Sequence, residues 1–196
     1  MLTLTNCVRC VVSNCEFHDK KKEGLFIRIM GEKSKDNLIE RCTFWDHTFE
    51  GENGGEAIRI GNSDVSGCWF NTTVRYCHFR NLKGDPESVS IKSCGNVLEN
   101  NIHEECDANV TIRHGGFNKI RNNVFIGSGG IIVCGEGNEI TGNYHKNNNN
   151  ENDKRRPLVL WKGNVETDPC FDSDGKPVVK RPTTHTMSML VQRIIS

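Results

Sequence analysis

Leucine is scarce in this chain, and neither sign of charge dominates it. The 196 residues include only 9 Leu, against 22 Asn and 19 Gly. Leucine is ordinarily among the commonest residues. Long helices favour it and penalise Asn and Gly, so a helical bundle is excluded and the chain must be built from strands and turns. Lys and Arg total 25 and Asp and Glu total 25, which leaves no net charge. A protein that holds nucleic acid by bulk charge is basic, so no nucleic-acid partner is expected, and an anionic ligand must be held by a local cluster. No apolar run reaches the roughly 18 residues of a membrane-spanning helix, so no membrane insertion is expected. The opening residues 1–10 lack the basic-then-apolar pattern of a signal peptide. Ten Cys are too few for a disulfide scaffold. The single Cys7-x-x-Cys10 pair has no second pair with which to build a structural zinc site.

What is present is a repeat. Residues 10–17, 37–44, 72–79, 96–103, 118–125 and 138–145 align without gaps. Their starts are separated by 27, 35, 24, 22 and 20 residues. The third position is always aliphatic: Val12, Ile39, Val74, Leu98, Ile120 and Ile140. The sixth is Cys15, Cys42 and Cys77, then Asn101, Asn123 and Asn143. The eighth is Phe or His. A period near 22 with an inward Asn on successive turns predicts an all-β fold, a right-handed parallel β-helix of about seven turns. Its aliphatic columns fill the core, and its Asn side chains satisfy one another as a ladder. Cys is small and buries readily, so Cys15, Cys42 and Cys77 are read as reduced core thiols in the same column. The repeat predicts a β-helix domain over 1–163 that carries the functional face. An irregular segment follows over 164–196. An open end exposes unpaired strand edges, and no capping helix precedes the first repeat, so the chain is expected to be an uncapped fragment.

A second set of β-branched runs lies between these segments. It includes Leu25-Phe-Ile-Arg-Ile-Met-Gly31, Ala57-Ile-Arg-Ile-Gly61, Val89-Ser-Ile-Lys92, Val110-Thr-Ile-Arg113 and Ile131-Ile-Val-Cys134. Lys92 and Arg113 are 21 residues apart, about one turn, and are expected as neighbours on adjacent rungs of one face. Two stacked cations repel unless an anion sits with them. Asp85 and Glu87 precede Lys92, and one turn earlier stand Asn53 and Glu56. An amide with two carboxylates is an oxygen-rich set suited to Ca²⁺. A hard cation beside Lys and Arg suits an acidic sugar. A solvated charged surface is the plain alternative for the Lys–Arg pair, and a tight turn is the plain alternative for Asn53-Gly54-Gly55.

Together these pieces resemble the chondroitinase B and alginate lyase family, polysaccharide lyase family six. The resemblance covers about residues 37–163. It rests on Asn53-Gly-Gly-Glu-Ala-Ile-Arg-Ile-Gly61, Glu87-Ser-Val-Ser-Ile-Lys-Ser-Cys-Gly-Asn96, Val110-Thr-Ile-Arg-His-Gly115, Asn122-Asn-Val-Phe-Ile-Gly127 and Gly129-Gly-Ile-Ile-Val-Cys-Gly135. It implies Lys92 as Brønsted base and Arg113 as acid or charge stabiliser. It also implies Glu56, Arg59 and His114 at the substrate, and Asn53, Asp85 and Glu87 as calcium ligands, with Asp85 standing where the family has Glu. The implied reaction is calcium-dependent β-elimination on a uronate polymer, alginate first and dermatan or chondroitin sulfate second. A secreted or periplasmic setting goes with such an anionic polysaccharide. A non-catalytic carbohydrate-binding or structural β-helix is the alternative.

Overall fold

The computed structural model describes residues 1–49, 51, 53–147 and 155–161, with the backbone of three further short strands, Cys170–Phe171, Pro177–Val178 and Met189–Gln192. The expected boundary at 163 lies outside the described residues.

Successive coils contribute short strands to three parallel sheets, seven strands to each of the first two and, among the described residues, six to the third. The first sheet runs Leu2–Thr5, Ile27–Met30, Ile58–Gly61, Glu87–Lys92, Asn109–His114, Ile131–Val133 and Leu158–Leu160. The second runs Val11–Ser13, Leu38–Glu40, Thr73–Arg75, Val97–Glu99, Lys119–Arg121, Asn138–Thr141 and Met189–Gln192. The third runs Glu16–Lys20, Thr43–His47, His78–Leu82, Ile102–Glu104, Val124–Ile126 and Tyr144–Lys146. Neighbours in each sheet come from successive coils, which makes a parallel β-helix of seven turns. Among the described residues the only helical element is a single 3-10 turn, Ser63–Val65.

The repeat maps onto this architecture position by position. Val12, Ile39, Val74, Leu98, Ile120 and Ile140 pair in register in the second sheet, and all six are buried. The fifth position of the repeat makes the bend towards the third sheet. Asn14, Arg41, Tyr76, Asn100 and Asn122 all have φ between 52° and 55° there. Asn tolerates this left-handed region well, which accounts for part of the Asn excess. The sixth position then turns inward. Asn101 Nδ2 donates to Asn123 Oδ1, and Asn123 Nδ2 to Asn143 Oδ1, each at 3.0 Å. Cys42 and Cys77 hold the same column as free, buried thiols. Their Sγ–H groups lie 3.3 Å from the carbonyls of Glu40 and Arg75 in their own coil and 3.7 and 3.9 Å from those of Val12 and Ile39 in the preceding coil, the place where Asn101 Nδ2 donates to Val74 O at 3.0 Å.

Two further columns complete the interior. Asn96, Asn118 and Asn138 form a second amide ladder at the first position of the repeat. Phe17, Phe44, Phe79, His103, Phe125 and His145 stack ring on ring at the eighth, with centroid separations from 4.6 to 5.7 Å. On the first sheet the inward residues are Ile27, Ile58, Val89, Val110 and Ile131, and Ile29, Ile60, Ile91, Ile112 and Val133, all buried. The position between them points away from this core and reads Arg28, Arg59, Ser90, Thr111, Ile132 and Val159 along the solenoid, with Ser90 and Thr111 fully covered by their neighbours. This row is the floor of the candidate site.

Candidate active site

Lys92 ends its first-sheet strand, two residues beyond Ser90, and is half-buried. Its partner in the ladder is not Arg113. Ile91 pairs with Ile112, but Lys92 pairs with His114, because the register shifts by one residue between them. Arg113 is the extra residue of this bulge. A bulge bends the strand and re-aims a side chain. Arg113 is accordingly half exposed at 51% and reaches back across the sheet, where its guanidinium donates to Glu87 Oε1 at 2.9 Å. The expected in-register Lys92–Arg113 pair is therefore replaced by a Lys92–His114 rung, with Arg113 tied to the start of the Lys92 strand. The two cations are spared direct stacking, and a carboxylate lies against one of them.

Glu56 and Arg59 form a second pair one coil earlier. Arg59 Nε donates to Glu56 Oε1 at 2.7 Å and its NH2 group to Glu56 Oε2 at 2.8 Å, a two-pronged contact. The Glu56 side chain is almost wholly buried, and burial pushes its carboxyl upward while Arg59 pulls it down. Arg59 pairs in register with Ser90, two residues before Lys92. Burial first, and then the Arg59 guanidinium, push the Lys92 ammonium below its ordinary range. Glu87 and Glu56 oppose that shift, and Arg113 adds to it. The structure thus brings Glu56, Arg59, Glu87, Lys92 and Arg113 into one electrostatic cluster. An amine in this setting gives up its proton more readily than a surface lysine.

The remaining candidates lie at the turn that leads into the Lys92 strand. Asp85 is buried at 7% exposure. Its Oδ2 accepts from the amides of Gly54 and Gly55 at 2.7 and 3.2 Å, and its Oδ1 from the amide of Glu87 at 2.9 Å. Asp85 therefore fastens the turn that carries exposed Asn53 to the strand that carries Glu87. The packing there is tight enough to require glycine: a Cβ on Gly55 would lie 2.2 Å from Gly84 O. As donors, Asn53, Asp85 and Glu87 offer an amide oxygen and two carboxylates from adjacent coils, joined by the Asp85 contacts. Among the described residues no group of three His, Cys, Asp or Glu side chains is placed to hold a metal ion. The set supplies two carboxylates, and its third oxygen is the Asn53 amide. Hard oxygen donors of this kind fit Ca²⁺ in type.

Two residues at the site carry no motif signal strong enough to single them out. His47 ends the third-sheet strand Thr43–His47 and is fully buried. Its Nε2 donates to Gly24 O at 2.8 Å, while its Nδ1 has no hydrogen-bond partner and lies against Gly84, where a Cβ would sit 2.4 Å away. Nothing in the repeat marks position 47, which falls three residues past the aromatic column. Arg28 is the outward residue one rung before Arg59, with a buried Nε that has no partner. Its signal is the Ile-Arg-Ile shared by residues 27–29 and 58–60.

Lys92, Arg59 and Arg113 thus stand with Glu56 and Glu87 on one face of a parallel β-helix. The family model for Chondroitinase B matches residues 3–168, and the chain belongs to that family. Among solved structures, the chain is similar to the alginate lyase AlyF-OU02 in complex with G6, at 25% identity and a TM-score of 0.71, covering 80% of this chain and 36% of that one. It is similar to a mannuronic-acid-specific family 6 polysaccharide lyase from human gut microbiota, at 30% identity and a TM-score of 0.67, covering 76% and 34%. It is also similar to the PL6 alginate lyase AlyGC, at 26% identity and a TM-score of 0.68, covering 81% and 25%. The chain therefore spans about a third of the length of the first two of these proteins and a quarter of the third. No curated protein matches the sequence. Among the described residues no helix is long and apolar enough to cross a membrane.

Proposed function

We propose that this chain carries the catalytic face of a polysaccharide lyase that cleaves a uronate polymer by β-elimination, with alginate the favoured substrate and dermatan or chondroitin sulfate second. The observation that carries this reading is the half-buried Lys92, its ammonium held below the ordinary lysine range by burial and by Arg59. The fold and the family supply its context. Lys92 Nζ takes the proton from carbon five of the uronate. The electron pair forms the C4–C5 double bond, and the bond from carbon four to the glycosidic oxygen breaks. Arg113, held by Glu87 at 2.9 Å, serves as acid or charge stabiliser at that departing oxygen, which ends as a hydroxyl with a proton from Arg113 in the first role or with the proton Lys92 has taken in the second. His114, opposite Lys92 in the ladder, and the Glu56–Arg59 pair line the path of the sugar.

Asn53, Asp85 and Glu87 would hold Ca²⁺, which when bound supplies positive charge to the uronate carboxylate and so acidifies the carbon-five proton. The protein's own part is to present these oxygens on a turn and a strand that Asp85 locks together. An extracellular or periplasmic setting follows from the polymer.

The test is a substrate panel of alginate, its mannuronate and guluronate blocks, and dermatan sulfate, each with calcium and with EDTA. Ultraviolet absorbance of the unsaturated product reports cleavage. Product on at least one uronate polymer, lost with EDTA, is the expected result. A flat trace on every polymer in the presence of calcium would overturn the lyase reading and favour a binding module.

A further inference from the structure

Three successive turns from the third sheet to the first bear on the candidate calcium ligands. They carry Gly24, then Asn53 with Gly54 and Gly55, then Gly84 with Asp85. Glu87 opens the strand that follows the third turn. Loops are ordinarily the mobile parts of a fold, so oxygens drawn from two of them need an anchor to keep a fixed spacing. His47 lies among these turns, fully buried at the end of the strand that leads into the second.

Its imidazole reaches the turns on both sides of its own. Towards the earlier coil, Nε2 donates to Gly24 O at 2.8 Å. Towards the later coil, Nδ1 lies against Gly84, where a Cβ would clash with it. Burial pushes the His47 pKa below the ordinary histidine range, which keeps the ring neutral. A neutral ring that donates from Nε2 carries no proton on Nδ1, and Nδ1 has no hydrogen-bond partner among the described residues. The Gly24 carbonyl is therefore the one polar contact of the ring, whose other neighbours include the Phe26 ring at a centroid separation of 5.2 Å.

From that contact a continuous line of hydrogen bonds runs to the candidate ligands. The Gly24 amide donates to Gly54 O at 2.8 Å. The Gly54 amide donates to Asp85 Oδ2 at 2.7 Å, and Asp85 Oδ1 accepts from the Glu87 amide at 2.9 Å. Gly24 and Gly54 have φ of 126° and 95°, values that side chains other than glycine rarely allow. A carboxylate has about four lone-pair sites. The amides of Gly54, Gly55 and Glu87 take three of them at Asp85, so the direction left for an ion is set by where those amides stand.

We propose that His47 is a positioning residue for calcium: by clamping Gly24 it fixes, through Gly54 and Asp85, the relative placement of Asn53, Asp85 and Glu87. It touches neither the ion nor the sugar. The inference rests on the calcium set of the lyase reading above and adds a buried residue outside that set on which its geometry depends.

Calorimetric titration of calcium into the 196-residue chain tests this without turnover. His47→Gln and His47→Asn carry the same carboxamide at different reach. Gln extends its N–H to the place of Nε2 and keeps the Gly24 contact, whereas Asn stops short of it. His47→Asn should weaken calcium about ten- to hundredfold, the usual weight of a group that holds a metal-binding carboxylate in place. His47→Gln should bind calcium close to wild type. Urea midpoints in EDTA, taken alongside, report the stability of each variant separately. Wild-type affinity in His47→Asn, whatever its midpoint, would reduce His47 to packing and overturn the proposal. Equal weakening in both variants would overturn it too, as would an absence of calcium binding by wild type. Should a variant fail to fold, the wild-type chain decides: calcium should shift the nuclear resonances of the His47 Nε2–H and the Gly24 amide, and unmoved resonances would overturn the link. Failure of the lyase reading has a different signature: no polymer yields unsaturated product, while calcium binding keeps its dependence on position 47.

Discussion

Lys92 shows how much one residue's role depends on neighbours that spacing alone does not reveal. Its ammonium is shifted down by burial and by Arg59, and held partly in check by Glu87 and Glu56. If it takes the carbon-five proton, Lys92→Ala should lower turnover by at least ~10²-fold, a typical general-base contribution. Lys92→Arg should fail equally, because a guanidinium stays protonated. Arg113→Ala should lower turnover while leaving the thermal midpoint close to wild type, since its side chain is half exposed outside the core. Asp85→Asn should behave differently from all three. Both Asp85 oxygens accept backbone N–H groups, so an amide would set its own N–H against those of Gly54 and Gly55 or of Glu87. The variant should lose activity through the turn as well as through calcium, and added calcium should restore only part of it. Product absorbance across a calcium titration reads this directly. Full recovery at high calcium would show that Asp85 acts on the ion alone.

At the scale of the element, the ladders are where sequence and structure agree most closely. The gapless segments place six aliphatic residues in one stacked column because a strand step fixes which side chains point inward. The change from Cys to Asn at the sixth position was legible for the same reason, since Cys is small enough to be buried in a column that Asn fills as a ladder. That equivalence makes a prediction. Asn123 accepts from Asn101 and donates to both Leu98 O and Asn143 Oδ1. Asn123→Leu would strand the buried groups on both sides and should cost about 3 kcal/mol or more. Asn123→Cys keeps a small side chain whose thiol, like that of Cys77, has backbone carbonyls of its own and the preceding coil within reach, and should cost clearly less. Urea midpoints of the two variants give the ordering, and equal losses would deny the thiols any share in the ladder. The catalytic strand was less legible. Between Ile91 and Ile112 the step is 21 residues, but from Lys92 to its partner His114 it is 22. Chain distance cannot show where the extra residue is absorbed, so Arg113 was expected on the rung where His114 stands. His47 and the Asp85 contacts were hidden for another reason: they depend on backbone amides and carbonyls, which leave no trace in side-chain patterns.

The whole solenoid is a one-dimensional stack in which each coil touches only its neighbours, so a weak coil in the middle can divide it. His103 is such a point. It sits between the rings of Phe79 and Phe125, 4.6 Å from each, and neither of its ring nitrogens has a hydrogen-bond partner. Burial, with a smaller contribution from His78, holds its pKa down to about 3, against roughly 6.5 in an unfolded chain. The unfolded state therefore binds a proton that the folded state refuses throughout the interval between those values. The stability associated with neutral His103 is fully present above about pH 6.5. It declines as the pH falls and is exhausted near the folded value of about 3. By pH 4 this single group should remove on the order of 3 kcal/mol, enough to matter in a fold whose coils cannot share the load across a wide core. His103→Phe continues the aromatic column without a titrating group. It should leave the urea midpoint near wild type at pH 7 and retain markedly more stability than wild type at pH 4. Midpoints measured at both values decide the matter: an acid loss of the same size in His103→Phe would place the sensitivity elsewhere in the stack.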